Sequence, residues 1–159
     1  MKSIVVYYSL EGNTDYVARE VAKHTGADLL RLEPEREYPK GKVSKYVWGG
    51  KSVVFGEKPS LRPYQFKKDL YDLIIIATPI WASSFTPPIR SFFADHDLRN
   101  KNVAFISCSA GGDTQKCRQQ LIDITNVPIL TAELNLIEPL KQSRNEVDGK
   151  ILEFCTKLM

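Results

Sequence analysis

Six consecutive residues near the amino terminus combine the side chains and the spacing of an anion-binding turn. They follow an apolar stretch, precede apolar residues at helical spacing, and read Ser9-Leu10-Glu11-Gly12-Asn13-Thr14. The first N–H groups of a helix lack internal partners and carry about half a positive charge, so they attract anions. Ser9 adds a neutral donor, and Gly12 permits a tight turn. We therefore predict a phosphate-binding turn in which Asn13 or Thr14 caps the helix and the Glu11 carboxylate faces solvent.

Two later stretches have the composition of ligand-binding loops. The first runs from Thr78 to Phe85 after a long apolar run, and it holds Trp81 in a segment bounded by prolines. We predict that this indole is a platform for a flat ligand. The second runs from Ser107 to Asp113 and is small, polar and glycine-bearing, which lets a ligand approach the backbone closely.

All three segments come directly after a predicted strand. In an open α/β sheet, ligands bind beyond the carboxyl ends of the strands, at the point where the strand order reverses. A phosphate site, an aromatic platform and an exposed backbone at one sheet edge describe a site for a flat, phosphorylated ring. Flavin mononucleotide (FMN) meets this description.

Apolar runs and helical periodicity predict the elements that position these loops. Strands are predicted at residues 3–8, 27–32, 72–78, 102–107 and 129–137, with a loop at 79–85. Helices are predicted at about 14–24, 42–54, 87 onward, 114–125 and 144–158, and Gly26 is expected to end the first of them. The helical residues expected in the core are Ile89, Phe92, Phe93, Cys117, Leu121, Ile124, Val147, Ile151, Leu152, Cys155 and Leu158.

Strands that alternate with helices predict an α/β fold, a doubly wound parallel sheet of five strands with helices on both faces. A single domain is expected over residues 1–159, with a variable segment at about 33–68. Hydrophobic content of 43% and charged content of 26% are typical of a globular protein.

Charge and cysteine usage exclude several classes of protein. The net charge of +3 comes without a run of basic residues, which argues against nucleic-acid binding. No apolar run approaches the roughly 20 residues of a membrane span, and Met1-Lys2-Ser3 leads straight into a strand, so a cytoplasmic location is expected. Three cysteines without a CxxC pair indicate reduced thiols, and neither a metal site nor a membrane partner is predicted.

The chain resembles the flavodoxin family over nearly its whole length. The resemblance rests on Ser9–Thr14 as a phosphate loop, on Thr78–Ala82 with its Pro-x-Trp sequence as a first flavin loop, and on Ser107–Asp113 as a second. It implies the strand order 2-1-3-4-5 and FMN as the cofactor. The residues that would bind FMN are Ser9, Leu10, Glu11, Gly12, Asn13, Thr14, Thr78, Pro79, Ile80, Trp81, Ala82, Ser109, Ala110, Gly111, Gly112 and Asp113.

Two departures from the family pattern bear on function. Flavodoxins that carry electrons are typically acidic, whereas this chain is mildly basic. Many members also place a glycine beside the flavin, and this chain has Ala82-Ser83-Ser84 there, where a positive φ would cost roughly 1 kcal/mol. This difference predicts weak stabilisation of the one-electron reduced flavin. Tyr46 or Trp48 is expected to cover the outer flavin face.

The resemblance implies a redox protein that transfers electrons through bound FMN to an unidentified partner protein or small-molecule acceptor, with no side chain assigned a catalytic role. An NAD(P)H-dependent FMN or quinone reductase remains an alternative, so the sequence does not decide whether the protein is an enzyme. A cofactor-free interaction module is the other alternative. Cys108 is not predicted to be a phosphatase nucleophile. The phosphate-binding loop of such a phosphatase requires an arginine six residues after the cysteine, and Thr114 occupies that position here.

Overall fold

The computed structural model describes residues 1–39, 56–111 and 113–159 of the chain. Its strands are β1 (Ser3–Tyr7), β2 (Asp28–Arg31), β3 (Leu73–Trp81), β4 (Ser84–Phe85), β5 (Asn102–Ser109) and β6 (Glu133–Ile137). Its α-helices are α1 (Asn13–Thr25), α2 (Pro87–Asp95), α3 (Gln115–Thr125) and α4 (Arg144–Leu158). The helix predicted at 42–54, with Tyr46 and Trp48, lies outside the described residues.

The strands form one sheet in the order β2-β1-β3-β5-β6, and all of these neighbours are parallel. This arrangement confirms the predicted fold and strand order, with β5 and β6 as the fourth and fifth predicted strands. The short β4 is an addition that pairs antiparallel with β3. In the middle of the sheet, Ile4 of β1 lies beside Ile74 of β3, which lies beside Val103 of β5.

Helices cover both faces of the sheet, which explains why its central strands are continuous apolar runs. Val5 and Tyr7 of β1 belong to the cluster formed with α1 and α4. Ile4 and Val6 of the same strand belong to the cluster formed with α2 and α3. Among the described residues, no helix has the length and apolar character needed to cross a bilayer.

Glycines define both ends of α1. Gly12 is the N-cap residue at φ 101°, and no side chain forms a capping hydrogen bond. The prediction that Asn13 or Thr14 caps this helix is therefore wrong, because both lie inside its first turn. At the other end, Gly26 adopts φ 72° and its N–H donates to the Ala22 carbonyl at 2.8 Å, which confirms the predicted left-handed end.

The segment 79–85, predicted as a loop, is instead a hairpin. Strand β3 continues to Trp81, which pairs with Ser84 of β4. The two residues between the strands, Ala82 and Ser83, have φ values of 48° and 60°. Positive φ at both central positions matches a type I′ turn, whose twist suits a tight antiparallel hairpin. Because neither residue is glycine, the turn carries a steric cost of about 1–2 kcal/mol per residue.

Three apolar side chains differ in burial from what the sequence predicts. Ile124 of α3 is 42% exposed and Leu152 of α4 is 51% exposed, whereas the sequence predicted both in the core. Phe154, which the sequence analysis did not place there, is only 1% exposed. Successive helical residues are rotated by about 100°, so Leu152 leaves the face that its neighbour Ile151 occupies. The last strand also begins at Glu133, which leaves Ile129 exposed.

We predict that Phe154→Ala destabilises the protein by about 3–5 kcal/mol, since it opens a cavity between α4 and the sheet. Leu152→Ala, the matched control on the same helix, is expected to change the free energy of unfolding by less than about 0.5 kcal/mol. Urea denaturation of both variants measures the difference. Equal destabilisation would contradict the observed orientation of α4.

We also predict that Ala82→Gly raises the free energy of unfolding by about 1 kcal/mol, because glycine adopts positive φ without a Cβ clash. The control is Ala94→Gly in α2, where φ is negative and glycine is expected to destabilise the helix by roughly 0.5–1 kcal/mol. Thermal and urea denaturation report both changes. A loss of stability in Ala82→Gly would argue against the left-handed turn.

Candidate functional site

A cleft opens at the carboxyl edge of the sheet, beyond the ends of β1, β3 and β5. The chain leaves β1 toward β2 on one side and returns to β3 on the other, so this is the point where the strand order reverses. About 510 Å³ of space, partly continuous with solvent, lies within it. Its walls are Ser9, Leu10, Glu11, Asn13, Thr14, Pro79, Ile80, Trp81, Cys108, Ser109, Ala110 and Glu138.

The cleft brings together members of all three loops singled out in the sequence. Ten of its residues are among the predicted cofactor-binding residues, and Cys108 and Glu138 are additions. The predicted residues that do not line it are Gly12, Thr78, Ala82, Gly111 and Asp113. Gly112 lies outside the described residues.

The turn before α1 leaves several hydrogen-bond donors without an acceptor inside the helix. The Gly12 N–H donates to Ser9 Oγ at 3.2 Å, so the Ser9 hydroxyl keeps its own hydrogen for another acceptor. The Tyr16 N–H is the first to bond within the helix, donating to the Gly12 carbonyl at 3.0 Å. The N–H groups of residues 13–15 therefore have no acceptor inside the helix.

A contact with a distant loop fixes the amide of Asn13. The Leu140 N–H donates to Asn13 Oδ1 at 3.0 Å. Because a backbone N–H can only donate, the accepting atom is the amide oxygen, and Nδ2 is the atom that can donate into the cleft. Leu140 also approaches the turn itself, since a Cβ added at Gly12 would lie 3.5 Å from Leu140 Cδ1. The loop after β6 thus supports the turn before α1.

Thr14 has a fully buried hydroxyl in the wall of the cleft. Among the described residues, that hydroxyl has no hydrogen-bond partner of normal geometry. It lies near the Cys108 thiol, whose pKa burial raises to about 12, while the threonine hydroxyl acts in the opposite direction. The thiol is therefore neutral at physiological pH. A buried hydroxyl without a partner costs about 1–3 kcal/mol, and an anionic ligand in the cleft would remove this cost.

Charged side chains in the cleft wall are acidic. None of the described residues that line the cleft is lysine, arginine or histidine, so the site offers dipoles and neutral donors rather than cations. Glu11 and Glu138 lie in its wall. The Glu138 carboxylate forms an ion pair with Lys141 at 2.8 Å, which reduces its repulsion of an anionic ligand.

Glu138 is a site residue that the sequence analysis missed. It lies just after β6 with a left-handed φ of 38°, and its N–H donates to the Ser109 carbonyl at 2.9 Å. This bond connects the ends of two neighbouring strands and brings Glu138 into the cleft. The available signal was its position before Pro139 at the end of a predicted strand, in the same setting as the three recognised loops.

Trp81 contributes to the cleft in a more limited way than the predicted platform. Only 9% of its surface is exposed. Its ring forms T-shaped contacts with Tyr8 at 5.8 Å and with Tyr38 at 5.2 Å between centroids. The indole is thus held firmly in an aromatic cluster. Pro79 and Ile80, which are half-buried, form a more accessible part of the same wall.

Thr78 stabilises the wall of the cleft through buried hydrogen bonds. Its hydroxyl is fully buried, donates to the Pro79 carbonyl at 2.8 Å and lies 3.1 Å from the Thr86 hydroxyl. The Thr86 N–H in turn donates to Thr78 Oγ1 at 3.2 Å. These bonds join the end of β3 to the start of α2, so Thr78 supports the wall without lining it.

A family model described as "Flavodoxin" matches residues 2–149 of the chain. Among solved structures, a putative flavoprotein from Bacteroides uniformis is similar with a TM-score of 0.77 and 23% identity, covering 95% of this chain and 97% of that one. A flavoprotein in complex with FMN from Lactobacillus acidophilus has a TM-score of 0.75 and 16% identity, with coverage of 96% and 97%. At these identities the two structures show a shared fold.

The curated proteins that match do so over short segments. Envelope glycoprotein B of equine herpesvirus 4 is 33% identical over 57 residues, which is 36% of this chain and 6% of that protein. The corresponding protein of varicella-zoster virus is 34% identical over 71 residues, or 45% and 7%. The chain thus spans a small fraction of the length of these relatives, and they establish no family for it.

Proposed function

Because the chain belongs to the flavodoxin family, we propose that it binds FMN in this cleft and takes part in electron transfer through the bound flavin. The observation that carries the proposal is the buried Thr14 hydroxyl, which has no hydrogen-bond partner of normal geometry among the described residues and belongs to a residue that lines the cleft at the start of α1. A group that accepts hydrogen bonds there would complete the site. The phosphate of FMN is such a group.

The phosphate would be held by neutral donors. These are the hydroxyls of Ser9 and Thr14, the amide of Asn13 and the free N–H groups of the first turn of α1. Oriented backbone amides bind phosphate without a lysine or arginine, because the helix end already carries partial positive charge. The donor set therefore fits a phosphate monoester.

The ring system would lie against the walls formed by Pro79–Trp81 and by Ser109–Ala110, at the ends of the neighbouring strands β3 and β5. These walls supply apolar surface and exposed backbone, which suit a flat heteroaromatic ring with polar edges. When bound, the flavin supplies the capacity to accept and release electrons, while the protein contributes binding, orientation and electrostatics. Hydrogen bonds of Thr78 and the aromatic contacts of Trp81 hold the walls of the cleft rigid, and these walls would fix the orientation of the flavin ring.

The electron-carrier role is favoured over an NAD(P)H-dependent reductase because the described residues offer one cleft that suits a phosphorylated ring, with acidic rather than basic side chains in its wall. A second phosphorylated nucleotide bound there would be repelled by the carboxylates of Glu11 and Glu138.

We place the electron-carrier role in the cytoplasm, as expected from the reduced thiols. The three cysteines are buried and unpaired in the structure.

The first test is cofactor uptake. We expect the purified protein to bind FMN with quenching of its fluorescence and to bind riboflavin, which lacks the phosphate, more weakly. Thr14→Val keeps the shape of the side chain but removes the hydroxyl, so it should weaken FMN binding about tenfold and leave riboflavin binding unchanged.

Thr125→Val is the matched control for that test, since Thr125 is a buried helical threonine whose hydroxyl donates to the Leu121 carbonyl at 2.7 Å, away from the cleft. It should retain full FMN affinity. A protein that ignores FMN would overturn the proposal and favour a cofactor-free interaction module. Equal affinity for FMN and riboflavin would refute the phosphate site.

A second test separates a carrier from a reductase. Absorbance of NADH and of NADPH is followed after mixing with FMN-loaded protein and a quinone. We expect no turnover above the rate of free FMN, whereas chemically reduced protein should pass its electrons to an added acceptor. Protein-dependent oxidation of either nucleotide would show instead that the chain is an oxidoreductase.

A further inference from the structure

The first turn of α1 carries a negative charge beside the proposed phosphate site. Asp15 is the third residue of this helix. Partial burial would raise its pKa, but hydrogen bonds from Tyr7 and Arg19 outweigh burial and lower it, so the carboxylate is ionised at neutral pH. The Tyr7 hydroxyl donates to it at 2.7 Å and Arg19 Nε at 2.9 Å. An ionised group so close to the turn would repel a phosphate unless it is neutralised.

Arg31 reaches both this carboxylate and the phosphate loop. It lies at the end of β2, in register with Tyr7 of β1. One guanidinium nitrogen, Nη1, donates to Asp15 Oδ1 at 3.2 Å, and the other, Nη2, donates to the Ser9 carbonyl at 3.1 Å. The side chain is 41% exposed, and the carboxylate that it contacts is 23% exposed. A single planar group thus connects β2, the turn and α1.

The bond to Ser9 determines which groups of the turn face the cleft. A carbonyl oxygen that pointed at the phosphate would repel it. Arg31 does not line the cleft, so an oxygen that accepts from Arg31 is directed toward β2. Ser9 itself does line the cleft, and its hydroxyl is held in turn by the Gly12 N–H. The guanidinium therefore fixes the backbone in the orientation that presents donors.

We propose that Arg31 is a positioning residue for the phosphate loop, holding the Ser9 carbonyl away from the ligand while it neutralises Asp15. This inference rests on the proposed FMN binding. It assigns a role in cofactor affinity to a side chain of the edge strand, outside the three ligand loops. The function needs arginine rather than lysine, because the guanidinium has two separate nitrogens that reach two acceptors at once, whereas an ammonium is a point charge.

Arg19 supplies the matched control. It also pairs with Asp15, at 2.9 Å, but no described contact joins it to Ser9. Arg31→Met and Arg19→Met each remove one positive charge beside the same carboxylate, and only the first removes the bond to the loop. Arg31→Lys keeps the charge and loses the two-acceptor geometry. Far-UV circular dichroism and thermal denaturation establish that each variant is folded.

The experiment measures dissociation constants of FMN and of riboflavin for the four proteins. We expect Arg31→Met to weaken FMN binding about tenfold or more and Arg31→Lys several-fold, with riboflavin binding unchanged in both. Arg19→Met should stay within about twofold of wild type for both ligands. If Arg31→Met does not fold, Arg31→Lys alone decides the question. An Arg31→Lys variant that binds FMN as tightly as wild type overturns the proposal.

The other outcomes also have definite meanings. Equal weakening in Arg31→Met and Arg19→Met would show a general charge effect and reject positioning by Arg31. Equal weakening of FMN and riboflavin would show a merely structural role and reject it as well. Failure of the wild-type protein to bind FMN would overturn the proposed function itself, which is distinguishable because it needs no variant.

Discussion

The structure depends on one constraint, which is that the N–H groups of residues 13–15 at the start of α1 have no acceptor inside the helix and lie at the end of a buried central strand. The helix begins directly after β1, and its N-cap Gly12 supplies no side-chain oxygen to occupy the first N–H groups. The Thr14 hydroxyl is buried in the same place, and among the described residues it has no hydrogen-bond partner of normal geometry. Groups of this kind cost free energy until an anion satisfies them. The surrounding elements hold them in position, since Leu140 fixes the Asn13 amide and Arg31 holds the Ser9 carbonyl.

Much of the fold could be predicted from the sequence because its decisive signals are local. A strand buried on both faces needs a continuous apolar run, and the runs that became β1, β3 and β5 have this pattern. The left-handed end of α1 at Gly26 follows from the same kind of local signal. The strand order came from a resemblance to a family, because alternation of strands and helices alone admits several orders. The common location of the three ligand loops then followed from parallel topology.

The remaining features depend on contacts that are distant in the sequence. The sequence predicts a loop at 79–85, since Pro79 and small polar residues are poor strand formers, and the hairpin pairing forms only when β4 folds back on β3. The burial of Phe154 in place of Leu152 depends on how α4 rotates against the sheet. Arg31 reaches the phosphate loop through a bond to Ser9, and Glu138 is held in the cleft by a bond to Ser109. Both bonds join residues that are distant in the sequence, although the position of Glu138 at the end of a predicted strand was a local signal for its place in the cleft.

Three of the five described non-glycine residues with positive φ lie in the wall of the cleft or directly beside it. Glu138 lies in its wall, and Ala82 and Ser83 follow directly on Trp81; all three non-glycine residues have positive φ. Such conformations cost of order 1–3 kcal/mol each and persist only where surrounding contacts enforce them. Pairing of β3 with β4 enforces the positive φ of Ala82 and Ser83, and the bond from the Glu138 N–H to the Ser109 carbonyl enforces that of Glu138. Walls that are already fixed lose little conformational freedom when a ligand binds. In the proposed FMN site, affinity would arise from the donors that the site presents, while the contacts that enforce the strained turns hold the walls in place.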